Sequence, residues 1–219
     1  MNTDLLIQEL SSGLAPVKRL ASPGRRLGLW LAGSVPVLAA ITGFFGLRPD
    51  LAQCLADNRF IIQNGAALLT GLAAAWAALA SSVPGFKRSR AMVALVPALA
   101  WLASAGEGCW AEWQANGWSS LDSVVHQKCL PEIVGSGLVP ALLLTLLLRR
   151  GLSLNPALTA GLAALAAAAT GSAALALFHD GDTAWVTLTW HVGSAAGLSA
   201  LASAFGSRLL NHPATSRPA

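Results

Sequence analysis

Apolar residues in this chain come in long unbroken runs, not in alternation. Six runs stand out: Leu27 to Leu47, Phe60 to Val83, Ala91 to Ala105, Pro131 to Leu148, Pro156 to Phe178 and Ala184 to Phe205. A helix needs roughly 20 apolar residues to cross about 30 Å of hydrocarbon, and these runs match that requirement, the third and fourth least well. Their Ala, Leu and Gly content shows no strict period-two alternation, and lipid leaves no backbone group unpaired, so each run is expected as a helix and a barrel is excluded.

The N-terminal lead has a different period. In "TDLLIQELSSGLAPVKRL", Thr3 is a suitable helix cap and Asp4 favours a first turn; Leu6, Leu10 and Leu14 recur at i, i+4 and i+8, with Leu5 widening the stripe. Gly13 and Pro16 limit this amphipathic helix to about ten residues, a length that gains order only by docking on something. Its polar face carries Asp4 and Glu9 where a membrane-surface helix carries basic residues, which favours a protein partner. The lead has neither a basic n-region nor a small-residue cleavage site, so it is not expected to be a cleaved signal.

Composition turns the six runs into a class. With 54% hydrophobic and 11% charged residues among 219, and a mean hydropathy of +0.58, the chain is too apolar for a soluble domain. Eleven of its Lys and Arg residues fall on the side of the connecting segments shared with both termini, whereas Arg48, Arg59 and Lys128 fall on the other side with eight of the ten acids. By the positive-inside rule both termini are cytoplasmic. The expected fold is therefore all-α: a six-helix transmembrane bundle with a short cytoplasmic N-terminal amphipathic helix. Residues 1–26 form the lead, 27–207 the six-span domain and 208–219 a cytoplasmic tail.

The candidate chemistry is sparse. Apart from Glu132 at the outer start of the fourth, the six runs contain no Asp, Glu, Lys or Arg, which weakens ion or solute transport as a function, although a small-solute transporter is the second reading. His191 is the ionisable side chain placed clearly inside the bilayer, about 10 Å along its span. Packing and a response to protonation both remain open for it. Gly193 and Gly197 form G-x-x-x-G and, with the Ala/Gly-rich fifth run, are assigned to helix packing. Trp110, Trp113 and Trp118 fall in the long outer connection as interfacial anchors, with an aromatic ligand site as the alternative.

Cys54, Cys109 and Cys129 are placed outside without the C-x-x-C spacing of a thiol oxidoreductase, and being three they leave one thiol unpaired within a chain. A Cys109 to Cys129 disulfide is one reading. The other is reactivity at Cys129: it sits beside Lys128 and just before a helix that Pro131 opens, and both features favour thiolate. His126 lies three residues earlier, and His179 ends the fifth run on the same side. Thiolate and imidazole together suit Zn²⁺, Cd²⁺ or another soft to borderline divalent ion as a transient signal. No catalytic residues, resident cofactor or nucleic-acid contact are expected.

These residues resemble the NrsF-type membrane anti-sigma factors, which hold an extracytoplasmic-function sigma factor inactive. The lead matches a "TDxLIxxL…APVRRL" pattern, "GLRPDLAQCLADNRF" from Gly46 to Phe60 matches "GLRPDLA…L…F", and "LLRRG" from Leu147 to Gly151 and "ALALFHDGDTAWVTLTW" complete the likeness across nearly the whole chain. The resemblance implies an inner-membrane protein whose lead binds the sigma factor, with Asp4, Leu5, Leu6, Leu10, Val17, Lys18 and Arg19 as its contacts. It also implies sensing of heavy metals or oxidants by an outer cysteine pair. Cys129 matches the first cysteine, but the second, in the family's "ALHCPED", falls on His179. The resemblance thus leaves Cys129 and His179 as sensing and metal-binding candidates, with His126 and Cys109 as helpers.

Overall fold

In the computed structural model the chain is described over residues 3–12, 14, 20–122, 124, 130–179 and 183–210, and all of its regular structure there is helical. Helix α1 is Thr3–Ser12, the ten residues the lead's period requires. Helix α2, Pro23–Phe45, starts where the Ser22 side chain accepts from the Arg25 amide and Pro23 presets the first turn. It ends at Gly46, whose φ of 82° is a conformation that suits glycine and whose amide donates to Thr42 O. After the one-turn α3, Leu51–Cys54, comes α4, Asn58–Ser81, capped by the Asp57 side chain on the Arg59 amide.

The third rod is longer than its apolar run. A 3₁₀ segment, Arg88–Ala94, leads into α5, Leu95–Asn116, so Glu107, Cys109, Trp110, Glu112 and Trp113 are helical and do not lie in an outer loop. Nothing between Ala105 and Asn116 breaks the helix; it stops at Gly117, with φ 58°. A 3₁₀ turn, Gly117–Leu121, follows. Helices α6, Leu130–Leu148, and α7, Pro156–Leu175, begin as expected, the latter capped by Asn155 on the Leu158 amide. The sixth run is divided: α8, Ala184–Val186, continues through a π-helical segment, Thr187–Val192, into α9, Gly193–Ala204, and then α10, Gly206–Leu210.

Pro23–Phe45, Asn58–Ser81, Arg88–Leu121 and Pro156–Leu175 are each long and apolar enough to cross a membrane, and Glu132–Leu148 is a shorter apolar helix. Helix α7 is the central rod, packed against α2, α4, α6, α9 and α10. Small residues permit this: a Cβ on Gly71 of α4 would collide with Thr170, and one on Gly171 would lie 3.0 Å from the Gly137 amide of α6. In lipid such close packing is what associates helices, since chain and solvent are equally apolar. The reading of the fifth run as a packing face therefore holds. That of Gly193 and Gly197 does not: a Cβ at Gly197 would meet open space, and one at Gly193 only Leu188 O of its own π turn. Several polar side chains inside the bundle bond to one another, as Ser81 does with Thr159 at 2.7 Å and Thr159 with Ser153 at 2.6 Å.

Candidate functional site

Antiparallel packing gives the bundle two ends. One, where the chain enters α2, gathers the start of α2 and the last turns of α4 and α6. There Arg26, only 2% exposed, donates to Leu79 O at 3.2 Å, to Ser82 Oγ at 2.8 Å and to Leu147 O. Those carbonyls lie in the last turns of their helices, where backbone donors run out; the Ser82 hydroxyl supplies one further donor to Leu79 O, and a guanidinium with five N–H groups reaches several acceptors at once. Nearby, Leu152 N donates to Ser82 O, and a Cβ on Gly151 would lie 2.9 Å from that oxygen. Trp30 Nε1 donates to Pro140 O at 2.9 Å, a second tie from α2 to α6.

At the far end, His179 Nε2 lies 3.1 Å from Glu132 Oε2. The pair joins the turn beyond the end of α7 to the first turn of α6, where a carboxylate also complements the helix dipole. Around it, Glu112 Oε1 accepts from Ala184 N at 2.7 Å, supplementing the Thr183 side chain that caps α8, and Arg59 pairs with Glu107 at 2.8 Å. Trp190 Nε1 donates to Val124 O at 3.1 Å. Trp110, Trp113 and Trp118 form an exposed row with ring centroids 5.4 and 6.4 Å apart.

The segment between α2 and α4 is fastened by its own sequence. Arg48 donates through Nε and Nη2 to both oxygens of Asp50, at 2.6 and 2.9 Å, its amide donates to Leu177 O at 3.0 Å, and its guanidinium lies 5.8 Å from the Phe60 ring centre. Hydrogen bonding from Arg48 lowers the Asp50 carboxyl to about 2. Cys54 Sγ lies 3.5 Å from Asp50 Oδ2, and burial, aided by that contact, raises the thiol above its ordinary range. The "GLRPDLA" stretch is thus a clamp from α2 onto the end of α7.

Of the sequence-stated candidates, His179 is brought to Glu132, a partner that sequence reasoning did not name. Cys129, three residues before Glu132 in the chain, lies outside the described residues, as do His126, Val17, Lys18 and Arg19. Cys109 and Cys54 are free thiols, and Cys109 is buried in α5, contrary to its expected place in an open loop. Among the described residues no group of three or more His, Cys, Asp or Glu is placed to hold a metal ion. In the lead, Leu5, Leu6, Ile7 and Leu10 are all exposed, Asp4 lies beside them, and α1 buries none of its residues. Arg26 carries no such signal in the sequence: next to Arg25 it reads as a topogenic charge, and only its tertiary setting distinguishes it.

Fold and site together define a class, an all-helical bundle with the helix lengths and apolarity of a multi-span membrane protein, carrying one amphipathic helix outside its packed core. Residues 10–212 match the model of the NrsF family, described as negative regulator of sigma F, and the chain belongs to that family. It is on that ground a regulator of transcription that acts on a sigma factor. No curated protein and no solved structure matches it.

Proposed function

We propose that this protein is an inner-membrane anti-sigma factor for an extracytoplasmic-function sigma factor, with both termini cytoplasmic and the bundle crossing the bilayer six times. The observation that carries the reading is α1: four large apolar side chains on a ten-residue helix, all exposed, with an acidic residue beside them. Such a face lowers its free energy by seating in an apolar groove of a partner. Residues 1–26 hold the sigma factor, and the far end of the bundle receives the signal.

The signal is read by Cys129, three residues before Glu132 in the chain, together with His179, whose imidazole lies against Glu132. A metal ion or an oxidant that engages the thiolate at the start of α6 competes with the Glu132 to His179 contact. Release of the sigma factor requires that the signal bind the released arrangement more tightly than the holding one. Helix α6 provides continuity between the two ends, since Glu132 is in its first turn and Leu147, which holds Arg26, is in its last.

Co-purification of the full chain with its sigma factor, with and without residues 1–20, tests the reading. Loss of both the complex and the repression on deletion is expected, while continued repression rejects it. Cys129→Ser and His179→Ala are each expected to blunt induction by Cd²⁺ or an oxidant without constitutive release. Unchanged induction in both variants rejects the sensing site and leaves the anti-sigma reading standing.

A further inference from the structure

Between the far-end loop and the bundle lies a polar cavity of about 180 Å³, walled by α4, α5, α7, the π segment and the Arg48 to Asp57 loop. We propose that this cavity binds a small organic cation, a primary ammonium of about six heavy atoms or fewer, held by Asp57 at its mouth and Ser172 in its depth. The site is separate from the Glu132 to His179 contact and does not depend on the sigma-factor reading.

Size comes first. The volume slightly exceeds the ~150 Å³ that accommodates a benzene ring, and falls below the several hundred cubic ångströms of sites for larger ligands. Polarity comes second: the two larger grooves on the bundle are walled mostly by aliphatic side chains, whereas this cavity is lined largely by polar ones, Gln63, Asn64, Ser172, Thr187 and His191 among them. Ser172 is 2% exposed, and its hydroxyl has no hydrogen-bond partner within the protein. A buried hydroxyl left in that state costs about 1–3 kcal/mol, a cost that a bound polar guest removes.

Charge selects the guest. Arg48 lines the cavity, but its guanidinium fork is engaged on both oxygens of Asp50, so it does not present the bidentate face that captures an anion. Arg59 faces Glu107. Asp57 makes no ion pair among the described residues, and its Oδ1 takes only the Arg59 amide. Asn64 donates through Nδ2 to Phe60 O at 2.9 Å, which turns its carbonyl oxygen into an available acceptor. Trp101, 3% exposed, adds an aromatic wall of the kind that cations favour. The π segment that supplies Thr187 and His191 is a rare helix variant that recurs at functional sites.

The test uses the full chain in lipid nanodiscs with ethanolammonium chloride, glycerol and sodium acetate as probes of equal size class. Thermal unfolding and titration calorimetry are read for each. Ethanolammonium is expected to raise the unfolding midpoint saturably and to give a binding isotherm, with glycerol and acetate doing neither. Asp57→Asn keeps the helix cap, because Asn caps as well as Asp, and is expected to lose the shift; Ser172→Ala is expected to weaken it. Equal shifts from glycerol or acetate, no shift from ethanolammonium, or a full shift in Asp57→Asn overturns the proposal. Should Asp57→Asn not yield folded protein, Ser172→Ala decides, and an unchanged ethanolammonium shift there overturns it.

Discussion

The guanidinium of Arg26 donates to the carbonyl of Leu147, joining the first turn of α2 to the last turn of α6. The same side chain reaches Leu79 O and Ser82 Oγ, so one residue ties three helices at the end of the bundle nearest the lead. Any rearrangement of α6 must therefore either carry α2 with it or leave buried polar groups unmatched.

Replacing Arg26 by Met removes these bonds while keeping much of the stem's volume. Unmatched buried acceptors cost about 1–3 kcal/mol each, so the variant is expected to unfold at clearly lower temperature or denaturant concentration. Arg26→Lys recovers only part of the loss, because an ammonium lacks the planar fork that spans several carbonyls. Denaturant titration of the three proteins in one detergent checks the order Arg, Lys, Met.

The Glu132 to His179 contact joins α6 to the end of α7, and a double-mutant cycle isolates it. Glu132→Gln and His179→Ala are each expected to destabilise the protein, with the double variant less impaired than the sum by about 0.5–1.5 kcal/mol. Additive losses in unfolding experiments show that the two side chains do not work as a pair.

Close approach of α4 and α7 rests on the bare backbone of Gly71, where a methyl group meets Thr170 and the Ala166 carbonyl. Gly71→Ala is expected to cost about 1–3 kcal/mol by overpacking. Gly65 lies in the same helix with open space beside its Cα, and Gly65→Ala is expected to be neutral or slightly stabilising. Thermal midpoints of the two variants distinguish packing from helix propensity.

The clamp between α2 and α7 has a defined acid limit. Because Arg48 depresses the Asp50 carboxyl to about 2, the stability contributed by the pair is fully present above the unfolded carboxyl value of about 3.9 and is lost as pH falls through 2. The difference in unfolding midpoint between the native protein and Asp50→Asn is expected to hold from pH 7 to 5 and to shrink below 4. Cys54, raised by burial, stays protonated at neutral pH. Its alkylation by iodoacetamide is therefore expected to be slower at pH 7 than that of a free thiol, and to accelerate as pH rises.

Helix existence was legible because lipid-length apolar runs have few alternatives, and α1 was legible down to its ten residues from Thr3, Gly13 and the leucine spacing. The end of α5 was not, because charged and aromatic residues from Glu107 to Trp113 look like a loop when hydropathy alone sets the boundary. In the structure those groups pair with Arg59 and with the Ala184 amide, which makes helix the cheaper state there. His179 was legible as a candidate from the family's cysteine position, but its carboxylate partner lies 47 positions away in sequence, a distance that periodicity does not bridge. "GLRPDLA" was legible only as a likeness, and the clamp through Arg48, Asp50 and Leu177 gives that likeness a physical cause.

The π segment from Thr187 to Val192 has a further consequence for the chain beyond it. A wider turn accommodates an additional residue in the spiral, so everything from Gly193 onward is set about 100° around the axis from where an uninterrupted α-helix would place it. Ala195, 1% exposed against Ala168 and Ala169 of α7, owes its inward direction to that offset. Deleting one residue between Thr187 and Val192 would remove the additional residue and leave Gly193 onward in its present direction, whereas straightening all six residues into α-helix would swing the packed seam away from α7, so the irregular stretch acts as the phase-setter for α9.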